Sequence, residues 1–232
     1  MNSSPYNPLG PAHYEPHLEQ KSASQPAKRV GVFFATREGH TERIVERIAT
    51  DLRALGFDVD LLDVRQAVPF SLKNYSAAVL AASVHGGNHE KEMVRFVKDH
   101  RLDLEHLTTA FLSVTLSEAG AERHDTTPAQ HAKFVQDVDA MLSKFFKETK
   151  WVPTRTKPVA GAILYTRYNF LLRLIMKSIA KKAGSETDTS RDYVYTDWVG
   201  IDRFVEELAT EIQAAHAPAA ESGIGMKISA SA

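Results

Sequence analysis

Three short stretches hold residue types able to bind an anion beside a flat ring. The first, Thr36-Arg37-Glu38-Gly39-His40-Thr41, follows an apolar run and opens directly onto a helical pattern. Backbone N–H groups at such a junction have no helical partners and share the positive end of the helix dipole, which suits a phosphate. The hydroxyls of Thr36 and Thr41 add donors, and Gly39 permits a close approach or a positive φ. An ordinary helix start with Thr41 as N-cap uses the same residues, so the loop alone leaves both readings open. It lacks the Gly-Lys-Ser/Thr ending of a nucleoside-triphosphate loop and the Gly-x-Gly-x-x-Gly of a dinucleotide site.

The second stretch, Ser83-Val84-His85-Gly86-Gly87-Asn88-His89, has two adjacent glycines that clear space for a planar ring; a plain Gly-Gly turn is the alternative. His85 and His89 have no evident third partner, and no metal site is expected. The third, Ser113-Val114-Thr115-Leu116-Ser117, is small and polar, suited to backbone contacts with a ring edge.

The elements that must position these loops follow from hydrophobic periodicity. Short apolar runs predict strands at Arg29 to Ala35, Val59 to Val64, Ala77 to Ala82, Ala110 to Thr115 and Val159 to Tyr165. Helical spacing lies between most of them: Ile44, Ile48 and Leu52 before Gly56, then Glu90 to His100 and Ala129 to Phe146. A closing helix runs from about Trp198 with Asp197 as N-cap. Alternating strands and helices imply an α/β doubly wound parallel sheet, whose ligands sit beyond the carboxyl ends of the strands. The three loops fall at those ends.

Composition narrows the chemistry. In 232 residues, 43% hydrophobic and 25% charged, there is room for one well-filled core. With no cysteine, thiolate chemistry, disulfides and iron–sulfur clusters are excluded, so redox chemistry needs an organic cofactor. Residues 1–28 read as a disordered leader and 214–232 as a disordered tail, framing a domain at 29–213. No run of about 20 apolar residues is present to span a membrane. A cytoplasmic location is expected, with peripheral attachment to the inner face of the cell membrane open.

The net charge of -1 is unevenly spread. Thr149 to Ser185 contains eight Lys or Arg and no Asp or Glu, so the rest of the chain carries -9. Within a helical insertion at about 166–190, Asn169 to Lys182 is expected to set Arg173, Lys177 and Lys181 opposite Leu171, Leu172, Leu174, Ile175 and Ile179. Such a helix suits an anionic membrane surface, an acidic and greasy ligand, or simply the domain core. Nucleic acid is not an expected partner.

Together the loops resemble the flavodoxin pattern, which implies a five-stranded parallel sheet of order 2-1-3-4-5 with a helical insertion after strand five. More narrowly, the chain resembles the menaquinone-dependent protoporphyrinogen IX dehydrogenase family. The Thr36-Arg37-Glu38-Gly39-His40-Thr41 loop carries this, with Ala160-Gly161-Ala162, Tyr165-x-Arg167-Tyr168, Leu174-Ile175-Met176-Lys177, Glu186-Thr187-Asp188-Thr189 and Tyr195-Thr196-Asp197-Trp198. Where the family carries Arg-Tyr in the second loop, this chain has His85-Gly86. The resemblance implies FMN, held by Thr36, Arg37, Glu38, Gly39, His40 and Thr41, by Ser83, Val84, His85, Gly86 and Gly87, and by Phe111, Ser113, Val114, Thr115 and Leu116. It implies protoporphyrinogen IX as substrate and a quinone, menaquinone, as acceptor. Arg167, Tyr168, Arg173, Lys177, Asp188 and Thr189 are the expected substrate residues. The flavin would carry the chemistry, with no catalytic side chain assigned. A flavodoxin-type electron carrier and an NAD(P)H-fed FMN quinone reductase are the competing readings.

Overall fold

A computed structural model describes residues 28–66, 69–182 and 186–215. All but the last residue of the expected leader, and the expected tail from 216 on, lie outside the described residues. The first strand, β1 (Arg29–Ala35), alternates its side chains between two cores. Val30, Val32 and Phe34 face one layer of helices, and Phe33 and Ala35 the other. That period of two, with no polar side chain after Arg29, is what a strand buried on both faces requires.

The chain continues through α1 (His40–Ala54), β2 (Asp58–Asp63), β3 (Ala77–His85), β4 (Asn88–His89), α2 (Lys91–Leu104), β5 (Thr108–Thr115), α3 (Leu116–Ala121) and α4 (Pro128–Thr149). It ends with β6 (Arg155–Ala160), β7 (Ala162–Ile163), α5 (Phe170–Lys182), β8 (Tyr193–Val194) and α6 (Trp198–Ala215). Five parallel strands stand in the order β2-β1-β3-β5-β6, and β4 pairs antiparallel with the end of β3. This is the expected doubly wound, flavodoxin-like sheet. Helices α1 and α6 cover one face, where Ile44, Ile48, Leu52, Phe204, Leu208 and Ile212 are buried. Helices α2 and α4 cover the other, with Met93, Val97, Val138 and Phe145.

Caps fix several helix starts. Thr127 and Gln130 form a reciprocal capping box ahead of Pro128 at the start of α4. Asp197 accepts from Gly200 N at 3.0 Å, as expected for the cap of α6. Helix α6 runs to Ala215, two residues into the expected tail.

Two elements depart from the sequence reading. The fifth parallel strand is Arg155–Ala160 rather than Val159 to Tyr165. It lies at the sheet edge, where Arg155, Thr156, Lys157 and Pro158 are tolerated because one flank faces no strand. The apolar run that suggested a strand instead breaks at Gly161 and supplies the two-residue β7, paired with β8. Helix α3 was not anticipated; it begins at the residue after β5, with Thr115 Oγ1 accepting from Ser117 N at 3.1 Å.

Candidate functional site

A cavity of about 310 Å³ lies beyond the carboxyl ends of β1, β3 and β5. Strands β1 and β3 are neighbours whose onward connections run to opposite sides, the switch point where such sheets bind ligands. Thr36, Glu38, His40 and Thr41 line it from the first loop. Gly39, with φ of 85°, is the residue before α1, and its N–H donates to Thr36 Oγ1 at 3.2 Å. Thr41 is therefore inside the helix and is not its N-cap. Its Oγ1 is buried without a hydrogen-bond partner, as is Nδ1 of His40. An orphaned hydroxyl in the first turn of a helix, beside a glycine in the left-handed region, fits a phosphate-type anion.

His40 is held by a residue 156 positions further along the chain. Its Nε2 lies 2.7 Å from Thr196 Oγ1, which donates its own proton to Ala160 O, so His40 Nε2 is the donor. Burial, then the charges of Arg43 and Arg167, push the imidazole down to about 4, and it is neutral near pH 7.

The second loop contributes Ser83, Val84, His85, Gly86 and Gly87. Both glycines have positive φ, 56° and 74°, with open space where a Cβ would stand. His85 Nε2 lies 3.2 Å from a carboxylate oxygen of Glu38 and 3.2 Å from one of Glu90. Glu90 is buried, accepts from Ser83 Oγ at 3.2 Å and pairs with Arg37 Nε at 3.0 Å. Burial, the largest single influence, raises the Glu38 carboxyl, but the His85 ring, a backbone hydrogen bond and Arg37 together outweigh it and hold the group below its usual range. These charges tie the phosphate-type loop to the ring-type loop. Arg37 is thereby turned onto Glu90 and does not line the cavity.

From β5 and α3, Val114, Thr115, Leu116 and Ser117 form a further wall. Phe111 and Ser113, both in the expected cofactor set, do not line this cavity. Phe111 is fully buried and stacks on Phe145 at 4.3 Å, and Ser113 Oγ meets His89 Nε2 at 2.8 Å, also in the core. Both stand further from the carboxyl end of β5 than Val114 and Thr115, which reach the cavity. Sequence reading missed Met141, Gly161, Ala162, Leu164, Leu172 and Met176, which complete the lining. Met141 comes from the middle of α4, and no local motif marks it.

The insertion supplies the apolar wall through Leu164, Tyr168, Leu172 and Met176. Of the expected substrate residues, only Tyr168 lines this cavity. Arg173 donates through Nε to Tyr165 O at 3.0 Å and through Nη2 to Tyr168 O at 3.2 Å, which seats α5 on the preceding turn. Asp188 accepts from Ser190 N and Oγ within its own turn, and Lys177 is exposed. Thr189 is not among the lining residues. Arg167 reaches the first loop, donating to Glu38 O at 2.5 Å. The exposed side of α5 is sorted along its axis rather than around it: Phe170, Leu171, Leu174 and Ile175 project at the start, Lys177 and Lys181 towards the end.

Fold and cradle together define a flavodoxin-type domain, and the flavodoxin domain family matches residues 31–190. The protoporphyrinogen IX dehydrogenase [quinone] of Escherichia coli strain K12 is 33% identical over 178 residues, spanning 77% of this chain and 93% of that protein. The protein of that name from Leishmania major is 30% identical over 188 residues, 81% of this chain and 77% of the other. The chain belongs to this family of flavodoxin-fold dehydrogenases. Flavodoxin 1 of Bacillus cereus covers 79% of this chain and 98% of its own at 16% identity, with a TM-score of 0.45.

Proposed function

We propose that the protein is an FMN-dependent enzyme that dehydrogenates protoporphyrinogen IX and passes the electrons to a quinone, menaquinone, in haem biosynthesis. The observation that carries this is the junction in one cavity of a phosphate-type cradle at Thr36–Thr41 with an apolar wall from the basic insertion. An electron carrier needs the cradle and has no use for the wall. FMN, when bound, supplies the two-electron chemistry. The protein's own residues would hold and orient it: Thr36, Thr41 and the first turn of α1 would meet the phosphate, and the Gly86-Gly87 backbone and Leu116 would flank the ring. Leu164, Leu172 and Met176 keep water from it.

The outer side of α5 docks on the lipid that carries the quinone. Four exposed apolar side chains at its start enter the interface, and Lys177 and Lys181 meet anionic headgroups. No helix among the described residues is long and apolar enough to cross a membrane.

The test supplies flavin-loaded protein with protoporphyrinogen and a menaquinone analogue without oxygen. Porphyrin fluorescence should rise above the enzyme-free control. A flat signal, with rapid flavin reduction by NAD(P)H instead, would show a nicotinamide-fed quinone reductase. For docking, wild type should float with vesicles containing anionic lipid, and the Lys177→Glu, Lys181→Glu double variant should not; equal flotation removes the membrane role.

A further inference from the structure

Arg167 sits where sequence reasoning did not put it. It belongs to the short turn Tyr165–Arg167 ahead of α5, in the segment expected to hold substrate carboxylates. That turn is anchored within the insertion by Thr166, whose N and Oγ1 donate to Asp192 at 2.9 and 2.8 Å. Arg167 leaves the insertion and crosses to the first loop. Its Nη1 donates to Glu38 O and lies 2.7 Å from where a Cβ on Gly39 would stand. A side chain at residue 39 would therefore displace the guanidinium.

Three further observations concern charge. Among the described residues, no carboxylate pairs with Arg167. Its field reaches the His40 ring, which it helps to keep neutral. Arg37, the cation within the loop itself, is already paired with Glu90. The cradle thus has a neutral histidine, a compensated arginine, the charge of Arg43 in the first turn of α1, and the Arg167 guanidinium lying over its glycine with Glu42 Oε2 3.7 Å from the same Cβ position.

We propose that Arg167 is a phosphate-positioning residue for the cofactor rather than a substrate-carboxylate residue. It adds a fixed positive charge to the cradle and fastens the insertion to the loaded cofactor site. The inference rests on the FMN reading above. Because the guanidinium is tied to the insertion on one side and the loop on the other, phosphate binding and the seating of α5 stabilise each other.

The experiment compares FMN with riboflavin, which lacks the phosphate, by titrating each into flavin-stripped full-length protein and following quenching of flavin fluorescence. Wild type should prefer FMN. Arg167→Ala should raise the Kd for FMN about ten-fold or more, as loss of a charge-assisted contact does, while riboflavin binding stays unchanged. Arg167→Lys should recover part of the preference, and thermal melts of both variants report whether they fold. Equal weakening of both flavins would mean that Arg167 only props the cavity wall. Unchanged flavin binding with a raised KM for protoporphyrinogen would return it to the substrate. Either result overturns the proposal, as does a wild type that binds both flavins equally. A wild type that takes up neither flavin refutes the FMN reading itself, a different outcome from all of these.

Discussion

Changing His89 to Gln should make the protein less sensitive to acid. His89 is buried, packs against Phe111 and Phe145 and meets Ser113 Oγ, and burial alone pushes its imidazole down to about 4. In the unfolded chain the ring titrates near its ordinary 6.5. Between these values the unfolded chain binds the proton and the folded one does not, so stability falls as pH falls. The contribution is fully present above pH 6.5 and is lost on the way to 4. At about 1.4 kcal/mol per pH unit the whole effect is about 3 kcal/mol, of which about 2 kcal/mol disappears between pH 7.5 and 5.0. Urea unfolding at these two pH values, followed by the fluorescence of buried Trp151, measures it. Wild type should lose about 2 kcal/mol more than His89→Gln over this interval. Carboxylate titrations common to both proteins cancel, as does the substitution's own pH-independent cost. Equal losses would show that His89 is protonated in the folded state and that the desolvation argument is wrong.

Other outcomes follow from single contacts. Gly39→Ala puts a Cβ at positive φ and 2.7 Å from Arg167, and should cost about 1–2 kcal/mol in urea unfolding and weaken FMN binding in the same titration. Phe145→Ala opens a hole beside Phe111 and should cost about 3–5 kcal/mol, read as a lower urea midpoint. Glu90→Gln removes the buried charge facing Arg37 and His85. It should cost about 1–3 kcal/mol and speed hydrogen exchange in the Thr36–Thr41 and Ser83–His89 loops together. Exchange confined to one loop would show that Glu90 does not join them.

The cradle was legible because its signals are local: a glycine, two threonines and a strand-to-helix junction lie within six residues. The buried strands were legible for the same reason, since Ala77 to Ala82 is apolar at every position. The edge strand was not, because Arg155 to Pro158 carries the polar residues that one-sided pairing allows, and the neighbouring apolar run drew the assignment away. The resemblance implied a cofactor contact for Phe111, but only its position in β5, fixed by register with β3 and β6, shows it turned into the core. Met141 and Leu172 reach the cavity through tertiary packing of helices far apart in sequence. Arg155, one of the eight basic residues between Thr149 and Ser185, is spent on Glu207 and Glu211 of α6, a pairing that a charge count cannot reveal. Arg173 is similar, its guanidinium turned to main-chain carbonyls.

The bond from His40 to Thr196 joins positions 156 residues apart. During synthesis the cradle sequence leaves the ribosome early, yet His40 has no donor-acceptor chain to Ala160 until the segment ahead of the last helix has also emerged. The site is thus a late product of an early sequence. A chain cut before Thr196 keeps the six cradle residues but leaves the imidazole untethered.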